Sequence, residues 1–165
     1  YSLGSLLRDE GLAARFEGGT LMIFRLTVDD YHRYCYVANG RKTENVRLPG
    51  VLHSVNPVAV DHLPVYKENA REYCLLETEA FGTVLVMEVG ALLVGRIRNH
   101  HGACAVRKGM EKGYFEFGGS TIVLGLERGR AAVDADILAN SREGLETLVR
   151  LGERVGVAAE RTADA

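Results

Sequence analysis

From Arg71 to Leu126 the chain is a series of short apolar runs, each ended by a glycine or a polar turn. Arg71–Thr78, Thr83–Val89 and Ala91–Arg98 read as three successive strands, followed by Ala103–Val106 and Tyr114–Phe117. The run Ser120–Leu126 (STIVLGL) is apolar almost throughout, the mark of a strand buried on both faces. The sequence holds 19 glycines against 3 prolines, and glycine supplies the positive φ of tight turns at no steric cost. A mainly β protein of the α+β class follows, with helices confined to the two ends.

Upstream, Thr20–Thr27 reads as a buried strand and Tyr31–Val37 (YHRYCYV) as a second, with Asn39-Gly40 marking a hairpin turn. Pro49-Gly50 and Asn56-Pro57 mark further breaks, and Lys108–Gly113 (KGMEKG) reads as a charged loop. Leu3, Leu6, Leu7 and Leu12 predict one short amphipathic helix over Ser2–Phe16, broken at Gly11. Ala131–Val133 reads as a last strand, and leucines spaced over Asp136–Val155 predict a C-terminal helix. No linker or repeat divides the 165 residues, so one domain over 1–165 is expected.

Charge limits the partners. Lys and Arg total 20 against 22 Asp and Glu, which argues against a nucleic-acid partner because nothing is in excess to neutralise phosphates. The longest apolar stretch, Thr83–Ile97, is interrupted by Glu88 and Gly90 and is too short to span a bilayer. No signal peptide is visible and the chain starts at Tyr1, so a cytoplasmic protein with a trimmed N-terminus is expected. Cys35, Cys74 and Cys104 are too scattered for a disulfide framework or a zinc site and read as reduced thiols. His100-His101 with Cys104 lacks a fourth ligand, so no metal is expected, and Arg96, Arg98 and Arg107 read as the solvated face of strands.

The chemistry concentrates in Phe117-Gly118-Gly119-Ser120-Thr121, a glycine turn that sets a small hydroxyl at the edge of a buried strand. It is not a nucleophile elbow, since Ile122 stands where the second glycine would be. A Ser hydroxyl after glycine can instead attack the preceding carbonyl and shift the amide to an ester. Elimination and hydrolysis then leave a pyruvoyl group, a keto group able to condense with an amine and draw electrons.

Asp30–Arg33 (DYHR), Ser54–Pro57 (SVNP), Asn69–Glu72 (NARE), the glycines of Val89–Gly95 and Lys108–Thr121 (KGMEKGYFEFGGST) stand in one order along the chain. Together they resemble the phosphatidylserine decarboxylase family from about Phe24 to Leu126, in the GGST form found in many anaerobic bacteria. The resemblance implies a sandwich-like domain of duplicated hybrid motifs, and a proenzyme that cleaves itself between Gly119 and Ser120. Residues 1–119 would be the β chain and 120–165 the α chain, with Ser120 becoming the pyruvoyl cofactor. It implies that His32 handles the substrate carboxylate and proton, and that the product is phosphatidylethanolamine with carbon dioxide.

Two positions depart from the family pattern. Its second histidine, three residues after the first, is Cys35 here, and its Ala-Asp-Gly segment upstream of DYHR is not present in this sequence, as in an N-terminally truncated chain. His53, before SVNP, is the candidate substitute for the cleavage base, with Cys35 the weaker one. The expected partners are phosphatidylserine or a small soluble amino acid, a membrane surface at the inner face of the cell, and a second copy in a homodimer. A binding module that has lost processing is the reading of a different class.

Overall fold

The computed structural model describes residues 2–27, 29–51, 68–91, 96–116 and 120–159, with Ser120 described by its backbone alone. At the N-terminus, α1 (Leu3–Leu7) and α2 (Glu10–Ala14) replace the single helix predicted. The break falls at Arg8, which has a φ of 54°, and not at Gly11, which lies inside α2. Side chains decide it: Ser2 caps α1 by accepting from the Ser5 N–H at 3.1 Å, and Asp9 caps α2 by accepting from the Leu12 N–H at 2.8 Å.

Among the described residues twelve strands follow. They are β1 (Thr20–Leu26), β2 (Arg33–Cys35), β3 (Gly40–Lys42), β4 (Val46–Leu48), β5 (Arg71–Thr78), β6 (Gly82–Val89), β7 (Arg96–Asn99), β8 (Cys104–Val106), β9 (Glu111–Glu116), β10 (Ser120–Leu126), β11 (Ala131–Val133) and β12 (Gly156–Ala158). A seven-stranded sheet runs β1-β10-β6-β5-β3-β8, with β4 also on β5, and a three-stranded sheet runs β2-β9-β7. All of these pairings are antiparallel, so the mainly β expectation holds.

The large sheet buries both faces. Leu85, Met87 and Val89 of β6 join Leu6, Leu7 and Phe16 of the N-terminal segment in one cluster. Val84 and Val86, pointing the other way by strand alternation, join Tyr36, Leu76, Leu124 and Leu126 in a second. Tyr34 and Phe115 of the small sheet pack with Ile97 and with Ile122 of β10, closing the small sheet onto the large one.

Four further expectations change. β1 is an edge strand rather than a buried one, and Ile23 is 51% exposed. Asn39-Gly40 does not join a hairpin: β2 pairs with β9, whereas β3 pairs with β5 and β8. Glycine is needed at 40 because a Cβ there would run into the Glu77 carbonyl oxygen. The charged loop ends at Met110, since Glu111–Glu116 is strand. The C-terminal helix α3 covers only Ala135–Arg142 and buries no residue. Gly144, at φ 72°, ends it, and the chain returns as β12 to pair with β11. Leu145, Leu148 and Leu151 stand exposed.

Candidate functional site

Two ladders converge on the start of β10. The β1–β10 ladder closes with Leu26 opposite Ser120. The β2–β9 ladder begins with Arg33 opposite Tyr114, and the Phe115 N–H donates to the His32 carbonyl at 2.9 Å. The connection from Thr27 to His32 and the chain entering Ser120 therefore join the same two ladders. His32 and Ser120, far apart in sequence, lie at one junction between the sheets.

Local bonds shape the connection. The Asp30 carboxylate accepts from the Thr27 N–H at 2.6 Å and from its hydroxyl at 3.0 Å. These bonds, the backbone one foremost, hold the Asp30 carboxyl below its usual range. The Asp30 carbonyl is then presented to His32 Nδ1 at 2.7 Å. A carbonyl only accepts, so Nδ1 carries the proton and Nε2 of the neutral ring keeps a lone pair. Nε2 is buried and has no partner among the described residues, and the ring sits edge-on to Phe115 at 6.4 Å.

Cys35 lies elsewhere. It pairs with Glu111 at the far end of β9, about 13 Å of strand from the Phe115 end that meets His32. A register shift between Tyr34 and Cys35 re-aims it further. Burial pushes its thiol above the usual range, which makes it a poor proton acceptor near neutral pH. His53, Gly119 and the SVNP and second VG segments lie outside the described residues.

The other candidates set aside from the sequence are engaged structurally. His100 Nε2 bonds Glu111 at 2.6 Å, His101 Nδ1 meets the Tyr36 hydroxyl at 3.2 Å, and Arg98 donates to Glu116 at 2.9 Å. Among the described residues no group of three or more His, Cys, Asp or Glu side chains is gathered as if for a metal ion.

Three groups near the junction escaped the sequence reading. Lys112 of β9 donates to both carboxylate oxygens of Glu88 on β6 at 2.7 Å, and both side chains are 0% exposed. Lys112 also donates to Asn99 Oδ1 at 2.7 Å, and Asn99 donates onward to Glu72 at 3.0 Å and Glu88 at 3.1 Å. Burial holds the Glu88 carboxyl above its usual range against the pull of Lys112. This network ties the small sheet to the large one. The buried Arg71 gives Nε–H to the Leu6 carbonyl at 2.7 Å and Nη1–H to that of Asn69 at 2.8 Å, so it fastens α1 to β5. Thr121, next to Ser120 in sequence, is 0% exposed, and its hydroxyl has no partner among the described residues. A lone carboxylate inside the apolar run of β6 was the one visible signal for the network. Nothing in sequence marked Thr121 apart from its neighbour.

One ladder closes at Ser120, and the other at a histidine with one ring nitrogen tied and the other without a partner among the described residues. Residues 1–157 match the phosphatidylserine decarboxylase family. The chain is 49% identical over 156 residues to phosphatidylserine decarboxylase proenzyme 2 of Clostridium acetobutylicum, covering 94% of this chain and 53% of the relative. It is 44% identical over 158 residues to the phosphatidylserine decarboxylase proenzyme of Ruminiclostridium cellulolyticum, with 94% and 53% covered. To that of Clostridium botulinum strain Eklund 17B it is 42% identical over 158 residues, again with 94% and 53% covered. The chain belongs to the phosphatidylserine decarboxylase family, and it spans about half the length of the curated relatives it matches.

Proposed function

We propose that this chain carries the self-cleaving centre of a pyruvoyl-dependent decarboxylase acting on phosphatidylserine, with cleavage between Gly119 and Ser120. The observation that carries the reading is the meeting of two ladders, one closing at Ser120 of the GGST motif and the other at His32, whose Nε2 is buried with no partner among the described residues. An orphaned polar nitrogen there fits a site for a small polar group formed from Ser120.

Cleavage requires the Ser120 oxygen to bond the Gly119 carbonyl carbon while its proton passes to a base. The carbon–nitrogen bond then breaks, the nitrogen takes a proton, and an ester remains. Removal of the Ser120 Cα proton breaks the Cβ–oxygen bond and releases residues 1–119 as a carboxylate. The dehydroalanine left behind takes a proton on its methylene carbon to become an imine, to which water adds, and ammonia leaves. His53 is our candidate for the first base, in place of the family's second histidine.

The pyruvoyl group, when formed, supplies an electron sink for loss of carbon dioxide from a bound amine. His32 holds its ring by the Asp30 carbonyl and uses Nε2 to carry a proton to the carbon that bore the carboxylate. Among the described residues no helix is long and apolar enough to cross a membrane, and we place contact with the lipid at the inner face of the cell membrane.

Mass spectrometry of the purified chain tests this. Cleavage replaces one species of 18.1 kDa by two that meet at residue 120, the smaller blocked by a keto group. Ser120→Ala should stay whole and melt with the parent. Two chains from the Ser120→Ala protein would sink the reading. An intact parent with its thiols and serine unmodified would favour the binding module.

A further inference from the structure

Lys112 faces inward because of an irregularity in the small sheet. In the β2–β9 ladder Tyr34 pairs with Gly113 and Cys35 with Glu111, so Lys112 is one residue more than β2 matches. Strict alternation back from Phe115 would send residue 112 to the outer face with Tyr114, whose ring lies under the exposed Arg33 guanidinium. The bulge turns it inward instead, and its ammonium ends between the sheets on Glu88 and Asn99.

Cohesion alone does not call for this. Tyr34, Phe115, Ile97 and Ile122 join the same two sheets through hydrocarbon, and a buried ion pair adds little stability over well-packed apolar residues. What the pair adds is direction. Apolar packing is non-directional, so it resists the sliding of one sheet over the other only weakly. The Lys112 ammonium makes three bonds of 2.7 Å, two to Glu88 and one to Asn99, and Asn99 donates onward to Glu72 and Glu88. A shifted register would leave a buried charge unmatched.

The consequence reaches His32. The Phe115 N–H, three residues along β9 from Lys112, donates to the His32 carbonyl at 2.9 Å, and the Phe115 ring meets the imidazole edge-on. Across the interface, Glu88 stands opposite Ile122 in the β6–β10 ladder. One ion pair therefore indexes β9, and His32 with it, against β6 and β10. We propose that Glu88 and Lys112 are positioning residues, which set the register of the small sheet on the large one and so the place of the His32 imidazole in the reaction. This rests on the decarboxylase reading.

The experiment compares the parent with the double variant Glu88→Leu with Lys112→Met. It measures melting temperature, acylation of His32 by diethyl pyrocarbonate followed on its peptide, and carbon dioxide release from dispersed phosphatidylserine by the processed protein. The reagent takes the lone pair of an unprotonated ring nitrogen, and the buried Nε2 of the parent is shielded from it. The double variant should melt at or above the parental temperature while His32 loses that shielding. Its kcat should fall about tenfold or more, with KM unchanged. A double variant that keeps His32 shielded, or turns over at the parental rate, overturns the proposal and leaves the decarboxylase reading standing. One that melts well below the parent overturns it too, since the pair would then hold the sheets together rather than set their register. A parent that releases no carbon dioxide overturns the decarboxylase reading and the proposal with it.

Discussion

His32 owes its state to a bond made two residues away. Because Asp30 anchors Thr27, its carbonyl meets Nδ1 and leaves Nε2 as the basic nitrogen. On the proposed mechanism, removing the ring takes away the proton carrier without touching either ladder. His32→Ala should therefore still split, while kcat for decarboxylation falls about a hundredfold or more, as measured by carbon dioxide release from the processed protein. A processed His32→Ala protein with parental turnover would remove His32 from the reaction. Cys35 is governed by its surroundings in the opposite sense. Its thiol is half-buried and held above the usual range by burial, so alkylation by iodoacetamide should show a pH midpoint above that of free cysteine. Cys35→Ser should split at the parental rate, and a slower time course would return the thiol to the cleavage step.

Strands β6 and β9 meet through charge rather than through hydrocarbon. Glu88 and Lys112 share two bonds at 2.7 Å with neither side chain exposed. Removing one partner leaves the other charge buried and uncompensated. Lys112→Ala should lower stability to urea by about 3–5 kcal/mol. The double variant Glu88→Leu with Lys112→Met removes both charges and keeps similar volume, so it should match or exceed the parent in the same titration. A double variant as unstable as the single would show that the network's hydrogen bonds to Asn99, and not charge compensation, hold the sheets. The same pair explains why the sequence reading placed Lys112 in a solvated loop. In sequence it is one lysine among charged neighbours, and only its antiparallel pairing in β9 turns it inward against β6.

Acid sensitivity belongs to the whole molecule, because the depressed carboxyls sit on segments distant in the chain. Thr27 lowers Asp30, His100 and then Arg33 lower Glu111, and Arg25 lowers Glu146. A carboxyl depressed on folding adds stability above its unfolded pKa, and that gain disappears as pH falls through the folded value. Urea midpoints should hold from pH 7 to the ordinary carboxylate range and then decline below it. The contribution of each group is modest, since these carboxylates are near water and screened. A midpoint unchanged between pH 5 and pH 2 would contradict these three assignments together.

The strands Arg71–Thr78, Thr83–Val89 and Ser120–Leu126 were legible because alternation, apolar runs and glycine turns are local properties. The helix breaks were misread for a related reason. Gly11 looks like the weak point, but the caps at Ser2 and Asp9 decide where each helix starts. The C-terminal leucines carry helical spacing, yet a helix of that length needs a surface to bury them, and α3 has no buried residue. Sequence alone determined the class of fold, the family motifs and the residue expected to react. Tertiary structure alone decided that β2 leaves Gly40 for β9, that Lys112 faces Glu88, and that His32 rather than Cys35 meets the Phe115 end of β9. The physical reason is that strand partners and buried charge pairs are contacts between distant segments, and no window of neighbouring residues contains both sides of them.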